Sequence, residues 1–171
     1  MITRLNHAVL YVRDLDATVA FYRDVLGFQP IEGMAGLRGA CFLRAPGSTN
    51  DHDLGLFELG PGAAPSGAGR TTVGLYHLAW EVDTLATLAE LAEGLANAGA
   101  LVGSSDHGTT KSLYAKDPNG IEMEICWIIP ADQLTDADRN ARVRIGPLDL
   151  QREIDRFGAD TRGGVGISVP A

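Results

Sequence analysis

The chain has 171 residues, 45% of them hydrophobic and 21% charged, proportions that suit one folded domain with a real core. Its formal net charge of −8 argues against nucleic acid, whose phosphates need a basic surface. No apolar run approaches the roughly 20 residues of a membrane helix, and Cys41 and Cys126, without CxxC spacing, make no disulfide framework.

In chain order, "MITRLN" is too short and polar for a signal peptide, so a cytoplasmic location is expected. A strand starts at His7 ("HAVLYV"). A helix follows, capped by Asp14 and stopped by Gly27, with Leu15, Val19, Tyr22 and Leu26 at helical spacing. Three short strand-like runs come next, near residues 28–32, 38–44 and 53–59. The stretch "GPGAAPSGAGR" reads as a flexible linker.

The same order then repeats. A strand starts at His77, and Thr84 caps a helix with Leu85, Leu88, Leu91 and Leu95 on one stripe before Gly99. Strand-like runs follow near 100–104, 111–116 and 121–127. At an offset of 70, His7 meets His77, Val12 meets Val82 and Leu15 meets Leu85, so one module is written twice. The expected fold is α+β: paired βαβββ modules forming a cup-shaped, partly open eight-stranded sheet. Residues 1–128 make the domain, with module one at 1–60, a linker at 60–70 and module two at 71–128. Residues 129–171 form an extension: "LTDADRNARV" and "LDLQREIDRF" read as helices around Gly146-Pro147, and "GADTRGGVGISVP" as a loose tail.

Strand alternation decides which side chains share a face. His7 shares parity with Val9 and Tyr11, His77 with Ala79 and Glu81, and Glu124 with Glu122 and Cys126. If the first strands of both modules lie side by side, two histidines and a carboxylate converge. That is the ligand face of non-haem Fe(II) oxygenases, which leaves positions open for substrate and oxygen.

The segment "DHGTTKSLYAKDPNGIEMEI" (106–125) carries a histidine, a tyrosine seven residues later and two glutamates beyond a DPNG turn. With the doubled module, it resembles the vicinal oxygen chelate superfamily (glyoxalase, bleomycin resistance and dioxygenase proteins). Within that group it is similar to the type I extradiol catechol dioxygenases, over about residues 1–128. The resemblance implies His7, His77 and Glu124 as metal ligands, with Fe(II) or Mn(II) as the ion. "HDLGLFEL" (52–59) is similar to the strand carrying the catalytic histidine of such enzymes, which implies His52. His107 and Tyr114 match the histidine and the aliphatic-Tyr pair that precede the ligand glutamate.

What the resemblance implies for function is ring opening of a catechol with O2, beside the diol. His52 would hydrogen-bond the oxygen and then act as acid, while Tyr114 and His107 would orient the substrate oxygen. A catecholic substrate, O2 and a homodimer follow as expected partners, without nucleic acid or membrane. Glu58 as a fourth ligand would suit a glyoxalase-like lyase or isomerase using Ni, Co, Zn or Mg, and Glu122 competes with Glu124. A non-catalytic binder of an aromatic metabolite or antibiotic is the third class. Met34, Leu37, Phe42, Trp80 and Trp127 are expected to shape the pocket, and Lys111 to be a solvated strand residue without a role.

Overall fold

The computed structural model describes residues 1–32, 37–69 and 71–164. Among them, β1 (Ala8–Val12), α1 (Leu15–Asp24), β2 (Gln29–Pro30), β3 (Ala40–Arg44) and β4 (Leu54–Glu58) form the first copy of the module. The second copy is β5 (His77–Glu81), α2 (Leu85–Asn97), β6 (Leu101–Asp106), β7 (Thr110–Lys116) and β8 (Glu122–Ile128). Two helices of the extension follow, α3 (Asp136–Ala141) and α4 (Leu150–Phe157).

The strands hydrogen-bond as two four-stranded sheets of the same plan, β1-β4-β3-β2 and β5-β8-β7-β6. In each, the outer first strand runs parallel to the last strand of its module and the remaining pairs are antiparallel. A parallel neighbour requires a crossover, and the helix after each first strand supplies it. The expected caps hold. Asp14 accepts from the Ala17 amide and Thr84 from the Thr87 amide, satisfying orphan donors of the first turn. Gly27 and Gly99 follow the helices at φ 78 and 66°, a conformation that glycine adopts without steric cost.

Two compact units result. One is Met1–Gly67 with Asp117–Gly120, and the other is Ala68–Lys116 with the chain from Ile121 onward. In the first, Leu10, Val12, Tyr22, Leu43, Leu54 and Leu56 are buried. The DPNG turn belongs here: the Asn119 side chain accepts from the Arg13 amide at 2.8 Å and donates to Thr18 Oγ1 at 3.0 Å. In the second unit, Leu113, Ala115, Met123, Ile125 and Trp127 are buried on one sheet face, with Leu85, Leu88 and Leu95 of α2. Each such leucine contributes roughly 2 kcal/mol of apolar burial. The other face carries the polar residues described below.

The extension is better ordered than its sequence suggests. Thr135 and Asp138 form a reciprocal capping box on α3. Beyond α4, Trp127 Nε1 donates to the Thr161 carbonyl at 3.1 Å and the Gly163 amide to that of Asp83 at 2.7 Å. Residues 158–164 thus carry no helix or strand but are held by hydrogen bonds to the second unit, and residues 165–171 lie outside the described residues. Among the described residues no helix is long and apolar enough to cross a membrane.

Candidate metal and acid–base site

In the second unit, the register pairs His77 with Glu122, Ala79 with Glu124 and Glu124 with Tyr114. Alternation thus puts His77, Glu122, Glu124, Cys126, Tyr114 and Ser112 on the face opposite α2. There His77 Nε2 approaches Glu124 Oε2 to 3.2 Å, with the side chains 25% and 15% exposed. Donor atoms bound at right angles to one cation by bonds of about 2.1 Å lie roughly 3 Å apart, so this pair fits a divalent ion. His77 Nδ1 is buried without a hydrogen-bond partner among the described residues, so no other hydrogen bond at that nitrogen holds the ring. Among the described residues, no three His, Cys, Asp or Glu side chains form a metal-binding group, and His7 lies in the first unit.

Beside the pair, Tyr114 Oη lies 2.7 Å from His107 Nε2 and accepts from Ser105 Oγ at 3.2 Å. Ser105 Oγ is in turn 2.7 Å from His107 Nε2. Burial, and the negative charge of Glu124, push the Tyr114 phenol above its usual pKa even though the Ser105 hydrogen bond pulls the other way. Tyr114 is therefore a neutral donor at physiological pH. Ser105 was missed at the sequence level. Its signal was its place two residues before His107 on one strand edge, which puts both on one face.

In the first unit, the rings of His7 and His52 lie 4.4 Å apart between centroids, tilted by 45°. Phe42 meets His52 edge-on at 5.0 Å. His7 Nδ1 is 2.7 Å from Asn6 Oδ1 and His52 Nδ1 is 2.9 Å from Asp51 Oδ2. Donation from Nδ1 to these oxygens selects the tautomer with a lone pair on Nε2, the form of histidine that binds metals and accepts protons. The loop before His52 is tied by Asp53, which accepts from the Ala45 amide, Ser48 Oγ and Asn50 Nδ2. Burial opposes ionisation of Asp53, but those hydrogen bonds and His52 hold its pKa below the ordinary carboxylate value.

Several expectations need correction. Glu58 stands on the helix side of β4, where its carboxylate accepts from the Leu15 amide at 3.3 Å, so it is not on the His7 face. His52, by nominal parity, would share that helix side. The bend over Asp51–Asp53 breaks the alternation and turns it toward His7 and Phe42. Trp80 and Trp127 have the parity of Leu78 and Ile125, away from His77 and Glu124, and Trp127 is wholly buried. Phe42 does flank His52, Leu37 is 52% exposed, and Met34 lies outside the described residues. Lys111, expected in solvent, is 1% exposed and paired with Asp106 and Glu153.

Residues 4–125 match the model of the Glyoxalase/Bleomycin resistance protein/Dioxygenase superfamily, and the chain belongs to that superfamily. It is 32% identical over 123 residues to a catechol-2,3-dioxygenase of Bacillus subtilis (strain 168), across 71% of this chain and 41% of that protein. It is 33% identical over 138 residues to biphenyl-2,3-diol 1,2-dioxygenase 3 of Rhodococcus globerulus, across 78% and 68%. The chain thus spans less than half of the first relative and about two thirds of the second.

Among solved structures, a glyoxalase/bleomycin resistance/dioxygenase domain from Frankia sp. EAN1pec aligns with a TM-score of 0.60 at 26% identity, over 74% of this chain and 92% of that one. A lactoylglutathione lyase from Agrobacterium tumefaciens aligns at 0.52 and 23%, over 73% and 93%. The fosfomycin resistance protein FosX of Listeria monocytogenes, in a complex with Mn(II), aligns at 0.55 and 20%, over 73% and 92%. The last two share the fold alone.

Proposed function

We propose that the chain is a metal-dependent extradiol dioxygenase that opens a catechol-type ring with O2 beside the diol. The observation that carries this reading is a row on one sheet face. His77 and Glu124 stand 3.2 Å apart, Tyr114 is directly opposite Glu124, and the Tyr114 hydroxyl is 2.7 Å from His107. The names of the two curated relatives support the same class. A site that only bound an apolar ring would not need an imidazole–carboxylate pair beside a neutral phenol donor.

In this proposal His77 and Glu124 hold the metal, and His7, at the equivalent point of the first repeat, is the third ligand that the family resemblance implies. Fe(II) is the ion expected, and the donor types also accept Mn(II). Bound there, the ion would lower the pKa of the catechol hydroxyls and gather substrate and O2. The chain's own groups do the rest. Tyr114 donates its proton to a substrate oxygen and so orients the ring. His107 fixes that phenol by donating from Nε2 to its oxygen, since the single hydroxyl proton goes to substrate. His52, with Asp51 on Nδ1, takes up and returns a proton at Nε2.

The test is anaerobic loading with Fe(II), then oxygen uptake against a panel of catechols with detection of a yellow ring-fission product. Stoichiometric uptake, lost in His52→Ala with metal content intact, is the expected result. Full metal occupancy without uptake on any catechol would replace this reading with a glyoxalase-like reaction, and absence of metal would replace it with a binding protein.

A further inference from the structure

The face of the second sheet opposite the proposed site carries a buried charged cluster that the reaction does not use. Lys111 Nζ, on a side chain 1% exposed, contacts Asp106 Oδ1 at 2.6 Å, the Gly108 carbonyl at 3.2 Å and Glu153 Oε2 at 3.2 Å. Glu153 is also 1% exposed and comes from α4, in the extension. Asp106 Oδ1 accepts in addition from the Gly108 amide at 2.7 Å. The backbone of Asp106 exchanges two 2.9 Å hydrogen bonds with Gly146. On Gly108, at φ +77°, a Cβ would meet the Asp138 carbonyl of α3 at 2.6 Å. α3 is itself fastened to α4 by two 2.8 Å hydrogen bonds from Arg156 to Asp138.

The residue between Asp106 and Gly108 is His107. Among the described residues its own backbone is held within the turn, by its amide to the Thr110 carbonyl and by its carbonyl accepting from the Thr109 amide. Asp106, by contrast, is hydrogen-bonded to the extension, and Gly108 packs closely against α3. The family match ends at residue 125, so α3 and α4 lie outside it.

We propose that the C-terminal extension is a clamp that sets His107 against Tyr114, acting through Lys111 and Glu153 as positioning residues. The assignment rests on the proposed role of the His107–Tyr114 pair. A charged triad is suited to this because its partners are fixed in direction. Lys111 reaches one carboxylate from the sheet and one from α4, so loss of the Glu153 charge leaves a buried ammonium with Asp106 as its remaining carboxylate, and the pair rearranges. The Asp106–Gly108 turn would move with them. A displacement of about 1 Å at a group that orients substrate lowers the rate by up to roughly a hundredfold.

Two variants test the clamp in the full chain, Glu153→Gln and Lys111→Met/Glu153→Gln, each checked for folding by circular dichroism. In metal-free protein labelled with 15N-histidine, the ring signals of His107 should shift and lose their single tautomer, while those of His7, His52 and His77 stay in place. Amide exchange at His107 and Gly108 should quicken by about tenfold or more. On any catechol the native chain turns over, kcat should fall about tenfold with KM within about twofold. Should the double variant not fold, Glu153→Gln, which keeps the side-chain shape, decides alone. A folded variant with unmoved His107 signals and native exchange at the turn overturns the clamp, whatever the oxygen assay shows. Native spectra are read without substrate, so a failure of the dioxygenase reading registers separately as absent uptake by the unmodified protein.

Discussion

Gly55 in the first sheet holds the register position that Glu124 holds in the second. Gly55 lies opposite Val9, and Glu124 lies opposite Ala79, the equivalent residue of the repeat. The doubled module therefore offers a carboxylate at one of two matching points and no side chain at the other. With the three ligands proposed, more of a cation's sites are left to substrate and O2 than with four. A Cβ at Gly55 would meet the buried Phe42 ring at 3.3 Å and Val9 Cγ2 at 3.4 Å, so the Phe42 ring must give by a few tenths of an ångström while Val9, 52% exposed, can turn away. Gly55→Glu is expected to retain metal and lose oxygen uptake by about a hundredfold, whereas Gly55→Ala stays within a few fold. Equal activity of the two variants by oxygen electrode would count against the three-ligand account.

Removing the Tyr114 hydroxyl should have a defined, moderate cost. Tyr114→Phe loses the proposed hydrogen bond to substrate and leaves His107 with Ser105 alone, together about 1.5–3 kcal/mol, or roughly ten- to a hundredfold in kcat. His107→Ala should fall in the same range. Because the two groups act as one unit, the double variant should be little worse than either single one. Steady-state kinetics of the cycle decide this; strictly additive losses would separate the pair.

The protein should lose stability in alkali through Cys126. Burial, with the charges of Glu124 and Glu81, pushes this thiol from 9.0 up to about 12. A folded-state pKa above the unfolded one means that the native state keeps its proton while the unfolded chain gives it up. Stability is then full below about pH 9 and falls by about 1 kcal/mol per pH unit toward pH 12. Tyr114 and Tyr22, both raised by burial, add to the loss above pH 10. Urea midpoints measured from pH 8 to 11 should show a shallower decline in Cys126→Ala.

At the acid end the ion pair between α3 and α4 governs. Burial opposes ionisation of Asp138, but hydrogen bonds from Arg156 and Thr135 bring its pKa down from 3.8 to about 2. A depressed carboxylate stabilises the fold above its unfolded pKa and stops doing so as pH falls through the folded one. The contribution is about 2 kcal/mol at neutral pH. Arg156→Met should remove most of it at pH 7, and the gap between variant and native midpoints should narrow below about pH 4 and close near pH 2. A gap constant across that range would mean that Arg156 acts through packing over Phe157, whose ring centroid its guanidinium overlies at 4.3 Å.

The repeat, the helix caps and the strand runs were legible because each is a local signal. Asp14 and Thr84 cap where their residue types say they should, and the strands fall within a residue or two of their apolar runs. What failed was parity across a bend and burial by distant chain. The Asp51–Asp53 bend turns His52 off the face its number assigns. Lys111 read as solvated because its cover, Glu153, comes from 42 residues further on. Ser105 carried too common a residue type to stand out, and only the closed contact with His107 and Tyr114 picks it out.

The central claim is best tested on Glu124, the carboxylate of the His77 pair. Metal content should be measured together with oxygen uptake on catechols, for the native chain, Glu124→Ala and Glu122→Ala, after anaerobic Fe(II) loading. The account predicts about one metal ion per chain and stoichiometric uptake for the native protein and for Glu122→Ala, with both falling by about a hundredfold in Glu124→Ala. Native-level metal and uptake in Glu124→Ala would contradict it.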